Sequence, residues 1–203
     1  MSIWDITGLN RVEIDDYLAF KSCCISQINI VDIPSKLFSL YNLEDISLTN
    51  NNIENIPDKI FQLSKLQIVI LSNNKIKYLP FKFRQLKNIR VLSLSDNNID
   101  IFPEEILHLY NLKELSLSNN RIKSVPSEIR QLENLKYLYI SKNKIKILPK
   151  LSKQLSFIII HDNPTYPVSI PNKWLTYIEY KEYYKKQTDY IRNNTIKSHY
   201  FFN

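Results

Sequence analysis

Few residues in this sequence could do chemistry, and their spacing does not assemble a catalytic site. The three histidines are His108, His161 and His199, and the sequence pattern places no serine or cysteine nucleophile near the pair His161–Asp162. The ligand spacing of a metal site and the motifs of an activated nucleophile are also missing from the sequence. We therefore predict that the protein is not an enzyme, with no catalytic residue, no metal ligand and no cofactor.

The other candidate groups have structural explanations. Cys23 and Cys24 are adjacent, so they provide neither a disulfide framework nor the four ligands of a metal site. Glu104 and Glu105 follow Pro103 at a predicted helix start, where the helix dipole favours negative charge. The chain contains one glycine, which rules out the glycine-rich loops that bind phosphates and dinucleotides.

Length, composition and charge indicate a globular protein of a reducing compartment. The chain has 203 residues, of which 44% are hydrophobic and 23% charged, enough for a sizeable core. Its net charge of +7 is compatible with a nucleic acid, an anionic membrane or an acidic protein partner, although it is modest for this length. The first residues lack a signal-peptide pattern, and no aliphatic run approaches the roughly 20 residues of a membrane span. We expect no transmembrane segment and a cytoplasmic location.

The sequence is organised as a repeat of 23 positions. The copy around Asn97 consists of Ile89, Leu92, Leu94, Asn97, Ile99, Phe102, Pro103, Ile106 and Leu109. The asparagine returns every 23 residues, and the last time after 20, at Asn51, Asn74, Asn97, Asn120, Asn143 and Asn163. A degenerate copy precedes these and has Ile28 where the asparagine belongs.

This pattern resembles the leucine-rich repeat, in its intracellular 23-residue, Ras-suppressor-like class, over about residues 20 to 167. The resemblance implies an α/β fold, a curved horseshoe-shaped solenoid, and partners in signalling or adaptor complexes. The compact all-repeat chain, with a composition biased towards AT-rich codons, is also similar to such proteins in large DNA viruses.

The local physics agrees with a solenoid. Each LxxLxL segment has the period of two of a strand, with its leucines pointing inward. Each proline presets the backbone for a first helical position, so short helices or 3₁₀ helices should follow on the opposite side. Stacked strands need ~4.8 Å each, whereas helices need roughly 10 Å, so the parallel sheet should form the concave face and the helices the convex face.

The repeated asparagines should be structural. Each stands where the chain turns out of a strand, and backbone groups buried there have no ladder partner. An amide side chain both donates and accepts, so it can pair with groups in its own coil and in the next one.

The two ends of a solenoid must be covered. We predict an N-terminal cap with the degenerate first repeat at 1–42, leucine-rich repeats at 43–167, and a C-terminal cap helix and tail at 168–203. Residues 172–194 suit that helix, with Asn172 as a possible N-cap. The alternative for this segment is a tyrosine-rich basic helix that binds a membrane or a partner.

The outward strand positions form the candidate binding surface, in two columns. The first contains Asp45, Ile68, Val91, Glu114, Tyr137 and Phe157, and the second contains Ser47, Ile70, Ser93, Ser116, Tyr139 and Ile159. Aliphatic and aromatic side chains on a rigid concave sheet are typical of a protein interface. We therefore predict a non-catalytic scaffold or adaptor, a monomer, that binds a partner protein on this face. The alternative for the aromatic end is that the C-terminal tail covers it.

A basic edge offers a second hypothesis. The loops after the asparagines carry seven cations, Lys75, Lys77, Arg121, Lys123, Lys142, Lys144 and Lys146. With the basic tail, they could bind nucleic acid or an anionic membrane. Glu54, Asp96 and Asp100 interrupt this edge, whereas a continuous groove for nucleic acid would avoid such carboxylates; a rim that steers an acidic partner fits better.

Overall fold

A computed structural model, which describes residues 21–146 and 148–164, contains one parallel β-sheet. Its seven strands lie side by side in chain order. They are β1 Ser22–Cys24, β2 Asp45–Ser47, β3 Ile68–Ile70, β4 Val91–Ser93, β5 Glu114–Ser116, β6 Tyr137–Tyr139 and β7 Phe157–Ile159. This open sheet of strands from successive repeats confirms the predicted curved solenoid.

Short 3₁₀ helices form the opposite side of the coils. In the described residues they span Ser35–Ser39, Asp58–Gln62, Phe81–Gln85, Glu104–His108 and Ser127–Gln131. Each begins directly after a proline, as at Pro103, whose φ of −70° suits a helix start. Each is followed by a leucine whose N–H bonds three residues back, as Leu109 does to Ile106 O at 3.0 Å. Residues 148–156 of the shortened fifth repeat contain no helix.

The core lies between the sheet and the 3₁₀ helices. Leu92 and Leu94 reach it from the strand side, and Ile106 and Leu109 reach it from the convex side; all four are completely buried. Every full repeat contributes the same set of positions. Adjacent coils therefore bury one continuous apolar column, in which each coil relies on its neighbours.

We call the six repeated asparagines, from Asn51 to Asn163, the ladder asparagines. The residue before each of them has a left-handed backbone conformation. The φ angles of Asn50, Asn73, Asp96, Asn119, Lys142 and Asp162 lie between 52° and 58°. Asn and Asp tolerate this region better than most residues, which explains five of the six choices. The turn that they form directs the next side chain, the ladder asparagine, into the coil.

The predicted ends of the molecule lie largely outside the described residues. Residues 1–20 of the predicted N-terminal cap, the cap helix at 172–194 and His199 all belong to this part of the chain, so the domain boundaries at 42 and 167 stay predictions. The degenerate first repeat is described from residue 21, and it supplies β1 and the first 3₁₀ helix.

Candidate binding surfaces

The ladder asparagines bond both their own coil and the preceding one. Asn97 Nδ2 donates to Leu94 O at 3.1 Å and Ser95 O at 3.1 Å within its coil. It also donates to Leu71 O at 3.0 Å, and its Oδ1 accepts from Ile76 N–H at 2.9 Å. The expected second coil was the following one, and this detail is wrong. The carbonyl and N–H that the amide reaches belong to the coil before it.

The other ladder asparagines repeat this geometry. Asn120 Nδ2 donates to Leu94 O at 2.9 Å, and its Oδ1 accepts from Ile99 N–H at 3.0 Å. Asn51, Asn74 and Asn143 make the corresponding bonds and are buried. Asn163 joins the last described coil to Ile145 in the same way, at 3.0 Å. Because these polar atoms are engaged with the backbone, the asparagines offer little to a ligand.

The structure places the twelve predicted concave residues at the outer positions of the strands. The pairing aligns Asp45, Ile68, Val91, Glu114, Tyr137 and Phe157 in one column. It aligns Ser47, Ile70, Ser93, Ser116, Tyr139 and Ile159 in the other. The central residue of each strand from β2 to β7 points into the core.

The accessible part of this face is smaller than the two columns. Ser47, Ser93, Ser116 and Glu114 are buried. Ser93 Oγ lies 2.6 Å from Ser72 Oγ, and Ser116 Oγ lies 2.5 Å from Ser95 Oγ. These hydroxyls are therefore occupied within the protein.

An apolar patch remains partly accessible in the middle of the sheet. We call it the central patch, and it consists of Ile68, Ile70 and Val91, all half-buried. Ile68 pairs with Val91, and Ile70 is on the same strand as Ile68. Their backbone is fixed by the parallel ladder, so little conformational entropy remains to be lost when they bind.

The aromatic end of the sheet is mostly buried. Tyr139, Phe157 and Ile159 are 2%, 6% and 4% exposed and form a cluster separate from the main core. The rings of Tyr139 and Phe157 are 5.6 Å apart, and Tyr137 lies 6.4 Å from Phe157. Tyr137 is the accessible member, at 36%. The alternative that the tail covers this end concerns residues 168–203, which lie outside the described residues.

Asp45 introduces charge beside the central patch. Ser22 Oγ donates to Asp45 Oδ2 at 3.4 Å. Burial raises the pKa of the Asp45 carboxyl, and the nearby Glu44 carboxylate raises it further, against the opposing effect of the Ser22 bond. The ionised carboxylate is thus poorly solvated, and a donor on a partner would relieve that cost.

The predicted basic edge is exposed along its length. All seven of its cations are exposed, and so are Glu54, Asp96 and Asp100. Among residues 21–146 and 148–164, none of the seven has a carboxylate within 4.0 Å. This edge can attract anions, but its carboxylates break the positive charge into short stretches.

The opposite edge carries a second row of asparagines that the sequence analysis missed. Asn88, Asn111 and Asn134 are 23 residues apart, and each Nδ2 donates to a backbone carbonyl of the preceding coil, at 2.8–2.9 Å. The same spacing that revealed the first row could have revealed this one. Asn42 occupies the same repeat position two coils earlier, and Lys65 occupies it in the coil between Asn42 and Asn88. Lys65 Nζ donates to Asn42 Oδ1 at 2.6 Å.

The two cysteines and the two histidines in the described part of the chain form no recognisable reactive site. Burial raises the pKa of the Cys23 thiol to about 12, so this thiol stays protonated. His108 Nε2 lies 3.0 Å from an Arg84 amino group on the convex side. Within the described part of the chain, no group of three or more His, Cys, Asp or Glu could hold a metal, and no helix could span a membrane.

Comparison with known proteins places this architecture in a family. The leucine-rich repeat model matches residues 25–76, 41–99 and 65–122, and a model of two leucine-rich repeats matches residues 110–153. Together these matches cover more than half of the chain, which therefore belongs to the leucine-rich repeat family. None of the curated proteins compared with it matches significantly.

Solved structures with the same fold come from bacteria and plants. A leucine-rich repeat protein of Leptospira interrogans superposes with a TM-score of 0.74 at 30% identity, covering 80% of this chain and 44% of the other. The plant peptide hormone receptor RGFR1, in complex with RGF2, gives 0.59 at 29% identity, covering 65% and 23%. The ectodomain of the receptor kinase SOBIR1 from Arabidopsis thaliana gives 0.50 at 28% identity, covering 57% and 64%. The chain thus spans less than two thirds of each of these structures.

Proposed function

We propose that this chain is a non-catalytic protein-interaction scaffold that binds a partner protein on its concave face. The single observation that carries the proposal is the central patch. Ile68, Ile70 and Val91 are apolar and only half-buried, although positions facing solvent on a sheet are ordinarily polar. Apolar side chains on a rigid support are what the core of a protein interface requires.

The similar structures support a polypeptide as the partner. RGFR1 is a peptide hormone receptor and was solved with RGF2 bound. We further propose that the chain is a cytoplasmic monomer of the Ras-suppressor-like class with a signalling or adaptor partner. Its similarity to proteins of large DNA viruses stays a prediction.

Calorimetry with matched variants tests the binding face. The partner is first isolated by affinity capture from the source cells, and its affinity is then measured for Ile70→Ser and Ile101→Ser. Ile70 is in the central patch, whereas Ile101 is on the convex side and 77% exposed. We expect Ile70→Ser to weaken binding by more than ~1 kcal/mol and Ile101→Ser to leave it unchanged. The reverse result would place the interface on the convex side.

The basic edge supports a second candidate function, the binding of nucleic acid or an anionic membrane. Its exposed cations lack ion-pair partners among the described residues. Binding through phosphates weakens steeply with salt, whereas binding through the central patch does not. If Lys144→Ala abolishes binding and Ile70→Ser does not, the basic edge is the interface.

A further inference from the structure

A polar groove lies along the edge where the strands begin, opposite the basic edge. Its volume is about 490 Å³. The floor includes Glu44, Gln67, Arg90 and Lys113, which directly precede strands β2 to β5. Their backbones are joined by N–H···O bonds of 2.6 to 2.8 Å from one coil to the next. The groove thus has a rigid floor with one side chain for each coil, at the ~4.8 Å spacing of stacked strands.

Of the described residues, one carboxylate lines the groove, and it is already engaged. Glu44 Oε1 lies 2.8 Å from Lys21 Nζ, and its Oε2 accepts from Gln67 Nε2 at 3.1 Å. The bond from Lys21 lowers the pKa of the Glu44 carboxyl, and the charges of Lys65 and Arg90 act in the same direction. Glu44 is one carboxylate against the three cations that line the groove, so it offsets their charge only in part.

Three cations of the groove remain available. Lys65, Arg90 and Lys113 line it, and all three are exposed. Within the described part of the chain, none of them has a carboxylate within 4.0 Å. An anionic ligand in the groove would meet unpaired positive charge on successive coils.

Asparagine side-chain amides also line the groove. Asn88, Asn111 and Asn134 donate through Nδ2 to carbonyls of the preceding coil. These bonds fix the amides in place, and among the described residues no donor reaches their Oδ1 atoms. Each can therefore accept a hydrogen bond from a ligand N–H, such as a peptide amide.

We propose that this groove binds an acidic, extended polypeptide segment that crosses the coils. The cations would pair with its carboxylates, and the asparagine Oδ1 atoms would accept from its backbone N–H groups. A single-stranded nucleic acid fits less well, because such ligands stack their bases on aromatic side chains, and no aromatic residue among 21–146 and 148–164 lines the groove. The groove borders the concave face but shares no residue with the central patch, so variants of its cations test it independently of the proposed function.

Fluorescence anisotropy with defined probes tests the proposal. The probes are a labelled decaglutamate peptide, a labelled decaglutamine peptide and a labelled ten-nucleotide oligo(dT). The double variant R90Q/K113Q removes two groove cations. The double variant K75Q/K123Q removes two cations of the opposite edge and lowers the net charge equally. A third pair, K65Q/K113Q, repeats the test without changing Arg90.

We expect the wild type to bind decaglutamate and not decaglutamine. Both groove pairs should raise the Kd for decaglutamate about fivefold or more, whereas K75Q/K123Q should change it less than about twofold. Equal losses from the groove pairs and the opposite pair would mean that net charge alone attracts the peptide, and would overturn the proposal. Absence of binding by the wild type, or tighter binding of oligo(dT) with loss in R90Q/K113Q, would also overturn it.

Discussion

At the end of each strand, one asparagine side-chain amide forms hydrogen bonds with backbone groups of its own coil and of the preceding coil. Asn97 makes four hydrogen bonds, three through Nδ2 and one through Oδ1. Leucine would suit the apolar surroundings, but it would leave the Ile76 N–H unpaired and would remove one of the two donors to each of Leu71 O, Leu94 O and Ser95 O. The recurrence of asparagine in the sequence predicted this role. The coil that each amide reaches could not be predicted, because either neighbour lies one strand spacing away.

Replacing a ladder asparagine should therefore destabilise the fold. We expect Asn97→Leu to lower the free energy of unfolding by ~1–3 kcal/mol for each backbone group left unpaired. Asn98→Leu is the control, because no described residue bonds the Asn98 side chain. Denaturant unfolding monitored by circular dichroism measures both. An unchanged midpoint in Asn97→Leu would show that the amide does not stabilise the turn.

The two adjacent cysteines should differ in reactivity. The pKa of Cys23, about 12, leaves its thiol protonated at neutral pH, and the thiolate is the nucleophile. Cys24 points from the opposite side of the strand and lies 3.3 Å from Ser26 Oγ. We expect iodoacetamide to modify Cys24 at least about tenfold faster than Cys23. The ratio is measured from the rates of iodoacetamide modification of Cys23→Ser and Cys24→Ser, each of which keeps one cysteine, with the unfolded proteins as reference. Equal rates in the folded variants would argue against burial of the Cys23 thiol.

At the scale of elements, the convex side consists of short helices with one buried face. In the 3₁₀ helix Phe81–Gln85, Phe83 is completely buried, whereas Phe81 is 67% exposed. Deleting a buried phenylalanine removes its apolar contacts and leaves a cavity. An exposed ring two positions away has few contacts of this kind to lose.

This contrast predicts a matched pair of stabilities. We expect Phe83→Ala to cost ~3–5 kcal/mol of unfolding free energy and Phe81→Ala to change it by no more than ~0.5 kcal/mol. Thermal and urea unfolding of the two variants supply the comparison. Similar losses from both substitutions would mean that the convex helix is oriented differently.

The sequence predicted the strands and their pairing better than the exposure of the side chains on them. The 23-residue spacing determined which strand residues pair, so the aligned columns from Asp45 to Phe157 could be written before the fold was known. Apolar residues three apart suit α and 3₁₀ helices equally, so the helix type could not be chosen. The burial of Tyr139 and Phe157 could not be predicted, because a repeat pattern gives the direction of a side chain and not how closely neighbouring rings pack. Lys65 concealed the second asparagine row.

At the scale of the molecule, the stability of a solenoid depends on whether its two end coils are covered. Each coil contacts mainly its two neighbours, so an uncovered end coil exposes an apolar face and frays. We predicted that residues 168–203 cover the last coil. Removing them should lower solubility and lower hydrogen-exchange protection in residues 135–163 before that in the N-terminal repeats. Removal of residues 199–203 alone is the control. Unaltered protection across 135–163 in the longer truncation would show that the segment is not a cap.

The central claim is that the partner lies against the concave strands, and site-specific photo-crosslinking tests it most directly. A photoreactive residue replaces Ile70 in the central patch or Ile101 on the convex side, and each protein is irradiated with the captured partner. The account predicts a covalent adduct from position 70 that unlabelled wild type suppresses, and none from position 101. An adduct from position 101 and none from position 70, in two proteins that both bind, would contradict it.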